Sequence, residues 1–266
     1  MNWWSTWLDA ISTDLSWTSW LLLAVAALGI GITKSGFSGV SLVHVLVFAY
    51  VFGARASTGV VLPMLIAGDV MAMWIYGKDA DWKYVRRMML PAVVGVVLGW
   101  WWMGRLSEVY YRPLIGAIIL GLAALQLLRM RREAWFANVP HSQWFAWVMG
   151  MLVGITTMLA NAAGPVFGLF LLAIGLPKRE FVGTAAWFFL LLNVLKIPFS
   201  ANLGLIQRET LMLNLVLLPL IVVGLGIGRA IIHRIPQRTF DTVILIFSAA
   251  AAIHMLLSSW LARSIG

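Results

Sequence analysis

The chain has 266 residues, of which 62% are hydrophobic and 11% charged, with a mean hydropathy of +0.92. A soluble domain carries about 25% charged residues, so the composition points to an integral membrane protein and excludes an ordinary soluble fold. The formal charge of +9 sits mostly between apolar segments, which suits loops facing anionic lipid rather than a nucleic-acid face, and the lack of cysteine excludes disulfides, thiolate metal sites and a cysteine nucleophile.

Residues 1–18 lack the basic start of a cleaved signal peptide and carry Asp9 and Asp14 instead. With Trp3, Trp4, Trp7 and Trp17 they read as an amphipathic segment lying in the membrane interface. Ten apolar segments follow, near 19–33, 37–53, 56–77, 88–104, 111–130, 143–158, 161–176, 181–203, 210–232 and 239–260. Trp100-Trp101-Trp102 marks an outer interface. The charged stretch 131–142 is a linker on the cytoplasmic side.

Two of the apolar runs are interrupted. Gly31-Ile32-Thr33-Lys34-Ser35-Gly36-Phe37-Ser38-Gly39-Val40-Ser41 carries a lysine, serines, a threonine and glycines inside lipid-soluble sequence. Gly154-Ile155-Thr156-Thr157-Met158-Leu159-Ala160-Asn161-Ala162-Ala163-Gly164-Pro165 echoes it. Irregular backbone at membrane depth is tolerated only where protein or a watery cavity satisfies it. Each interrupted pair is either a re-entrant hairpin or two steep crossings.

The list divides into two fives, a repeat over 19–130 and another over 143–266. Gly31-Ile32-Thr33 aligns with Gly154-Ile155-Thr156; Arg55, Gly59 and Asp69 with Arg179, Gly183 and Asn193; Pro91 with Pro219. The fold class expected is an all-α membrane protein of two repeats, each a broken or re-entrant helix pair followed by three transmembrane helices. An odd number of crossings per repeat inverts the second relative to the first, and such inverted repeats place a binding site near the midplane. With both termini periplasmic, thirteen of the nineteen basic residues fall on the inner side and five on the outer, as the positive-inside rule requires.

Charged and polar groups inside these segments are the candidates for chemistry. Lys34 is either a cation that draws an anion or a lysine snorkelling to the surface. Ser38 and Asn161 stand where they could cap the helices that follow, whose positive ends would cradle an anion. Thr33, Ser35, Ser41 and Thr157 could add hydroxyl donors, against the plainer reading of hydroxyls bonded back to their own helix. Asp69 is either the structural partner of Lys34 or Lys196, or a proton carrier. Asn193 and Lys196 are three apart and share a helix face; Lys196 is a substrate ligand or a paired structural lysine. His44 could assist proton coupling, though a lone histidine on an apolar helix usually packs, and His254 reads the same way. Trp187 could line the pathway or simply pack. No metal set and no phosphate-binding glycine loop is present, so no cofactor is expected.

The glycine- and serine-bearing first break, its echo after a basic linker, and Val182-Gly183-Thr184-Ala185 following Pro177-Lys178-Arg179 resemble the TauE/SafE sulfite exporter family, over about Leu22 to Leu257. In that family pattern a proline follows the first glycine run; here Leu42-Val43-His44 stands in its place, while Pro165 occupies the matching position in the second half. The resemblance implies secondary transport of sulfite, sulfoacetate or a related sulfonate across a bacterial inner membrane. The expected mechanism is alternating access, with proton coupling as an option. The alternatives are an anion or small-solute channel and a membrane enzyme or assembly factor; the last lacks any nucleophile–base pair. The partners expected are a small anionic substrate and the lipid bilayer, with no nucleic acid, and a homodimer as the candidate assembly.

Overall fold

The computed structural model describes residues 15–36, 41–131 and 142–231, with scattered positions between 242 and 257. Most of the predicted segment near 239–260, most of the interfacial segment 1–18 and most of the linker 131–142 lie outside the described residues. All regular structure among the described residues is helical. α1 spans Trp17–Thr33, α2 Ser41–Phe52, α3 Ala56–Tyr76, α4 Trp82–Met103 and α5 Glu108–Arg131. After the linker come α6 Gln143–Ala160, α7 Gly164–Ile174, α8 Lys178–Asn202 and α9 Arg208–Ile231. Five helices are long and apolar enough to cross a bilayer: α3, α5, α6, α8 and α9.

Helix ends follow local chemistry. Ser16 and Ser142 accept from backbone N–H groups three residues on, opening α1 and α6. α4 begins at Trp82, six residues before the apolar run predicted from 88. The reason is Asp81, whose carboxylate accepts from Lys83 N at 2.9 Å; a capping acid within a charged run does not register in hydrophobicity. The two helices that follow the breaks are short. α2 with 12 residues and α7 with 11 reach only about 18 and 16 Å at 1.5 Å per residue, well under the roughly 30 Å of hydrocarbon.

Packing is set by glycines. α1 lies along α9, and α4 along α6. A methyl built on Gly31 would overlap the Ile221 carbonyl and the Leu225 amide; one on Gly224 would overlap the Leu28 carbonyl. On the other pair, a methyl on Gly154 would overlap the Ala92 carbonyl, and one on Gly95 the Met151 carbonyl. The spacings Gly95–Gly99, Gly150–Gly154 and Gly224–Gly228 are the small-residue interval that lets membrane helices touch backbone to backbone. In the sequence Gly31 and Gly154 stand out as markers of the breaks; their packing role shows only against the partner helices. α8 packs against α3 and α4, and α9 also against α3. The buried Tyr111 on α5 donates its hydroxyl hydrogen to the Leu159 carbonyl near the end of α6.

Two apolar cores result. One gathers Leu23, Ala27 and Ile30 of α1, Val60 and Met64 of α3, and Leu217 and Ile221 of α9. The other joins α4, α5, α6 and α7 with Phe188 and Leu192 of α8. α2 contributes to both, through Phe48 to the first and Leu42 and Val45 to the second.

Gly154→Val should lower the melting temperature in detergent sharply, because the atoms it meets are backbone and cannot rotate away; overpacking costs about 1–3 kcal/mol even against side chains. Gly226→Ala, where nothing lies within 4 Å, should leave the melting temperature unchanged or raise it slightly. Equal melting of the two variants would rule out the close α4–α6 contact.

Candidate functional site

The two breaks meet. α1 turns through Lys34 to Gly36, which takes a φ of 110° open to glycine. α6 stops at Ala160, where Asn161 takes the left-handed conformation with φ 51° and its N–H closes on the Thr156 and Thr157 carbonyls. Asn161 is therefore the C-cap of α6, and this corrects the expectation that it caps the next helix. Asparagine is favoured both as an N-cap and in the left-handed region, so residue type alone could not separate the two.

Around these ends, with the first turns of α2 and α7 and the middles of α3 and α8, lies a cavity of about 90 Å³. A single water needs about 10–15 Å³ on that measure, so there is room for a small polyatomic solute. Thr33, Lys34, Ser41, His44, Asp69, Thr157, Asn161 and Asn193 all face it.

A polar chain links one break to the other. Lys34 Nζ donates to Asp69 Oδ1 at 2.6 Å. Asp69 Oδ2 accepts from Asn193 Nδ2 at 2.7 Å. Asn193 Oδ1 in turn accepts from Lys196 Nζ at 3.2 Å. Lys196 also donates to Asn161 Oδ1 at 2.6 Å, to the Thr157 carbonyl at 3.0 Å and to Thr157 Oγ1 at 3.1 Å. Asn161 Nδ2 completes the chain by donating to the Thr58 carbonyl at 2.8 Å. Asp69 and Lys196 are buried, at 0% and 1% exposure. Burial of such groups is affordable only with partners of this kind.

A family model described as sulfite exporter TauE/SafE matches residues 22–255. The chain belongs to the TauE/SafE family. It is thus a multi-pass membrane protein of a sulfite exporter transporter family. No curated protein and no solved structure matches it in the corresponding comparisons. The matched span of this TauE/SafE protein takes in both breaks and every residue facing the cavity.

The remaining sequence candidates divide by position. Lys196 stands behind the cavity wall and reaches it only through Asn161, Thr157 and Asn193. Ser35 does not face the cavity: its hydroxyl donates to the Ile32 carbonyl at 2.7 Å, and a methyl on Gly228 would overlap it, so it packs toward α9. Thr33 faces the cavity but donates its hydroxyl hydrogen to the Ile30 carbonyl at 2.6 Å. Ser38 and His254 lie outside the described residues. Trp187 packs: its Nε1 donates to the Gly77 carbonyl at 3.1 Å and its ring lies 5.0 Å from that of Trp82.

Sequence reasoning missed the apolar wall of the TauE/SafE cavity. Phe167 stacks on Phe188 with ring centres 4.2 Å apart and meets Phe189 edge-on at 5.1 Å. The Phe189 ring lies 5.8 Å from Lys34 Nζ, a cation–π distance. Phe167 lies six residues past Asn161, just after the second break, which was the one available signal; Phe188 and Phe189 read as ordinary membrane sequence. A few placed polar groups against an aromatic wall is the usual composition of a small-molecule site.

Proposed function

We propose that this TauE/SafE protein is a secondary transporter that moves a small sulfur-containing or organic anion, such as sulfite, sulfoacetate or a related sulfonate, by alternating access. The observation that carries this reading is the cavity bounded by both breaks, where two lysines and one carboxylate make a polar chain at membrane depth. Two basic groups against one acid favour an anionic guest.

The proposed architecture is two inverted repeats, 19–130 and 143–266, joined by a cytoplasmic linker over 131–142. Exchange of the halves maps the α1–α9 contact onto the α6–α4 contact and the α9–α3 contact onto α4–α8, so the observed helix neighbours agree with a two-fold relation. The equivalent residues Asp69 and Asn193 bond to each other, as residues beside such an axis must. The loop charges support both termini on the periplasmic side, and the TauE/SafE membership supports the inner membrane of a bacterium as the location.

In that orientation the cavity is closest to the cytoplasm. It extends along α8 to Phe181 and Val182, one turn from the start of that helix at Lys178. Toward the other side the Asn161–Thr58 bond closes it, and beyond Asn161 lies a small second cavity of about 10 Å³ beside Ser57, Thr58 and Ile115. We assign proton coupling to Asp69, because protonation would remove the charge that holds Lys34.

Purified protein in proteoliposomes should accumulate labelled sulfite or sulfoacetate transiently when unlabelled substrate is loaded on the far side, with flux that saturates. Flux that rises linearly with concentration and shows no counterflow would favour a channel and remove the carrier reading.

A further inference from the structure

The proposal concerns His44. It rests on the transport reading and assigns a direct substrate contact within the same cavity. His44 is the fourth residue of α2 and shares a face with Ser41, three positions earlier; both face the cavity. It is buried, with 1% exposure. Neither Nδ1 nor Nε2 has a hydrogen-bond partner among the described residues.

That isolation separates His44 from the other polar side chains around it. Lys34 is held by Asp69, and both Asn193 and Asn161 use their oxygen and their amide nitrogen. Thr157 Oγ1 accepts from Lys196, Thr33 donates to its own helix, and Ser41 is likewise engaged. The other buried side chains with unpaired polar atoms among the described residues, Gln126 and Asn214, do not face this cavity. Buried polar groups are almost always paired, and one left unpaired calls for a specific explanation. An imidazole always carries at least one N–H.

We propose that His44 is the substrate-contacting, selectivity-determining residue of the cavity, donating its ring N–H to an oxygen of the bound oxyanion. The ligand class is a compact oxyanion with an unprotonated oxygen, such as sulfite or the head group of a sulfonate. Phe167 and Phe189 face the same space and would take up an apolar tail where the substrate has one. Lys34, bonded to Asp69 through one of its three N–H donors, sets the sign of the charge admitted, and the unpaired His44 ring supplies the directional bond.

The test compares His44→Leu, His44→Asn and His44→Gln with the wild type, using sodium sulfite and sulfoacetate as probes. Three quantities are read: melting temperature without anion, its rise on adding anion, and KM and kcat for counterflow. His44→Leu should melt at or above the wild-type temperature without anion, since an apolar side chain of similar size replaces an unpaired polar one. The same variant should lose the anion-dependent rise and show a KM raised about tenfold or more, the range expected for one lost bond to a charged group. At least one of the amide variants, which keep an N–H near one ring nitrogen, should recover much of the affinity.

A His44→Leu variant with wild-type KM overturns the proposal while leaving the transport reading standing. So does one that loses anion-free stability, which would show that the imidazole is a structural partner. A fall in kcat at unchanged KM across all three variants also overturns it, as a packing effect. A wild type that neither transports nor is stabilised by either probe overturns both the contact and the transport reading.

Discussion

Asp69→Ala should destabilise the fold by about 3–5 kcal/mol, the range for breaking a buried pair by removing one partner, and should abolish counterflow. The carboxylate serves two donors at once, Lys34 Nζ at 2.6 Å and Asn193 Nδ2 at 2.7 Å. Its removal leaves Lys34, beside the phenyl ring of Phe189, and the Asn193 amide nitrogen without their acceptor. A fall of this size is a large share of the whole stability of an ordinary domain. The companion double variant, Lys34→Met with Asp69→Leu, should recover most of the melting temperature, because apolar replacement of a whole buried pair is often neutral or better. It should not recover transport. An Asp69→Ala protein that melts with the wild type would show that the pair is not formed in the membrane.

The second large effect falls on Lys196. Lys196→Met keeps the length and the apolar stem and deletes only the ammonium. Three side-chain acceptors lose the ammonium donor, Thr157 Oγ1, Asn161 Oδ1 and Asn193 Oδ1, and the Thr157 carbonyl keeps only the Asn161 N–H. At about 1–3 kcal/mol for each acceptor left buried and unmet, the loss should be about 2–6 kcal/mol even if one of the three side-chain acceptors finds another partner. Transport should fall with it, because Asn161 and Asn193 lose the atom that orients them toward Thr58 and Asp69. Lys196→Arg should not rescue, since a planar guanidinium does not fit a site with 1% exposure shaped for a single point donor. Thermal melting in detergent together with counterflow would check this. A Lys196→Met variant that keeps both would assign the lysine to neither fold nor site.

Much of this site was legible in the sequence because charge and glycine are conspicuous in an apolar chain. The breaks around Lys34 and Asn161, the lone Asp69 and the Asn193–Lys196 pair stand out, and the structure brings them together. The i, i+3 relation of Asn193 and Lys196 fixed their common face before any coordinates. What sequence could not supply was direction. Ser35 and Lys34 are neighbours with the same claim to the cavity, yet the turn sends Ser35 against α9 and Lys34 toward Asp69. Lys196 looks as exposed to the pathway as Lys34 but is screened by the groups it holds. The start of α4 was hidden in a charged run because a cap acts through one oxygen. The glycine contacts were hidden for a different reason: in a chain with 24 glycines, only the partner helix reveals which ones carry a crossing.

The two apolar cores bear on how the molecule can divide mechanically. The core of α1, α3 and α9 and the core built on α4 to α8 each draw helices from both sides of the 131–142 linker. Covalent connectivity and mechanical grouping therefore cut the chain along different lines. A nick in the linker would release neither body, since each is clamped by the backbone contacts of Gly31 with α9 or of Gly154 with α4. The seam between the bodies runs through the cavity, where α3 packs on α8, the Asn193–Asp69 and Asn161–Thr58 bonds cross it and Lys34 Nζ lies 5.8 Å from the Phe189 ring. Such hydrogen bonds are worth about 0.5–1.5 kcal/mol net between neutral groups and about 1.5–3 kcal/mol to a carboxylate. Glycine also joins the two bodies as it joins the helices within each: Gly59 lies against the Leu205 backbone and Gly183 against the Tyr76 carbonyl, so the polar chain through the cavity runs inside a close-packed seam.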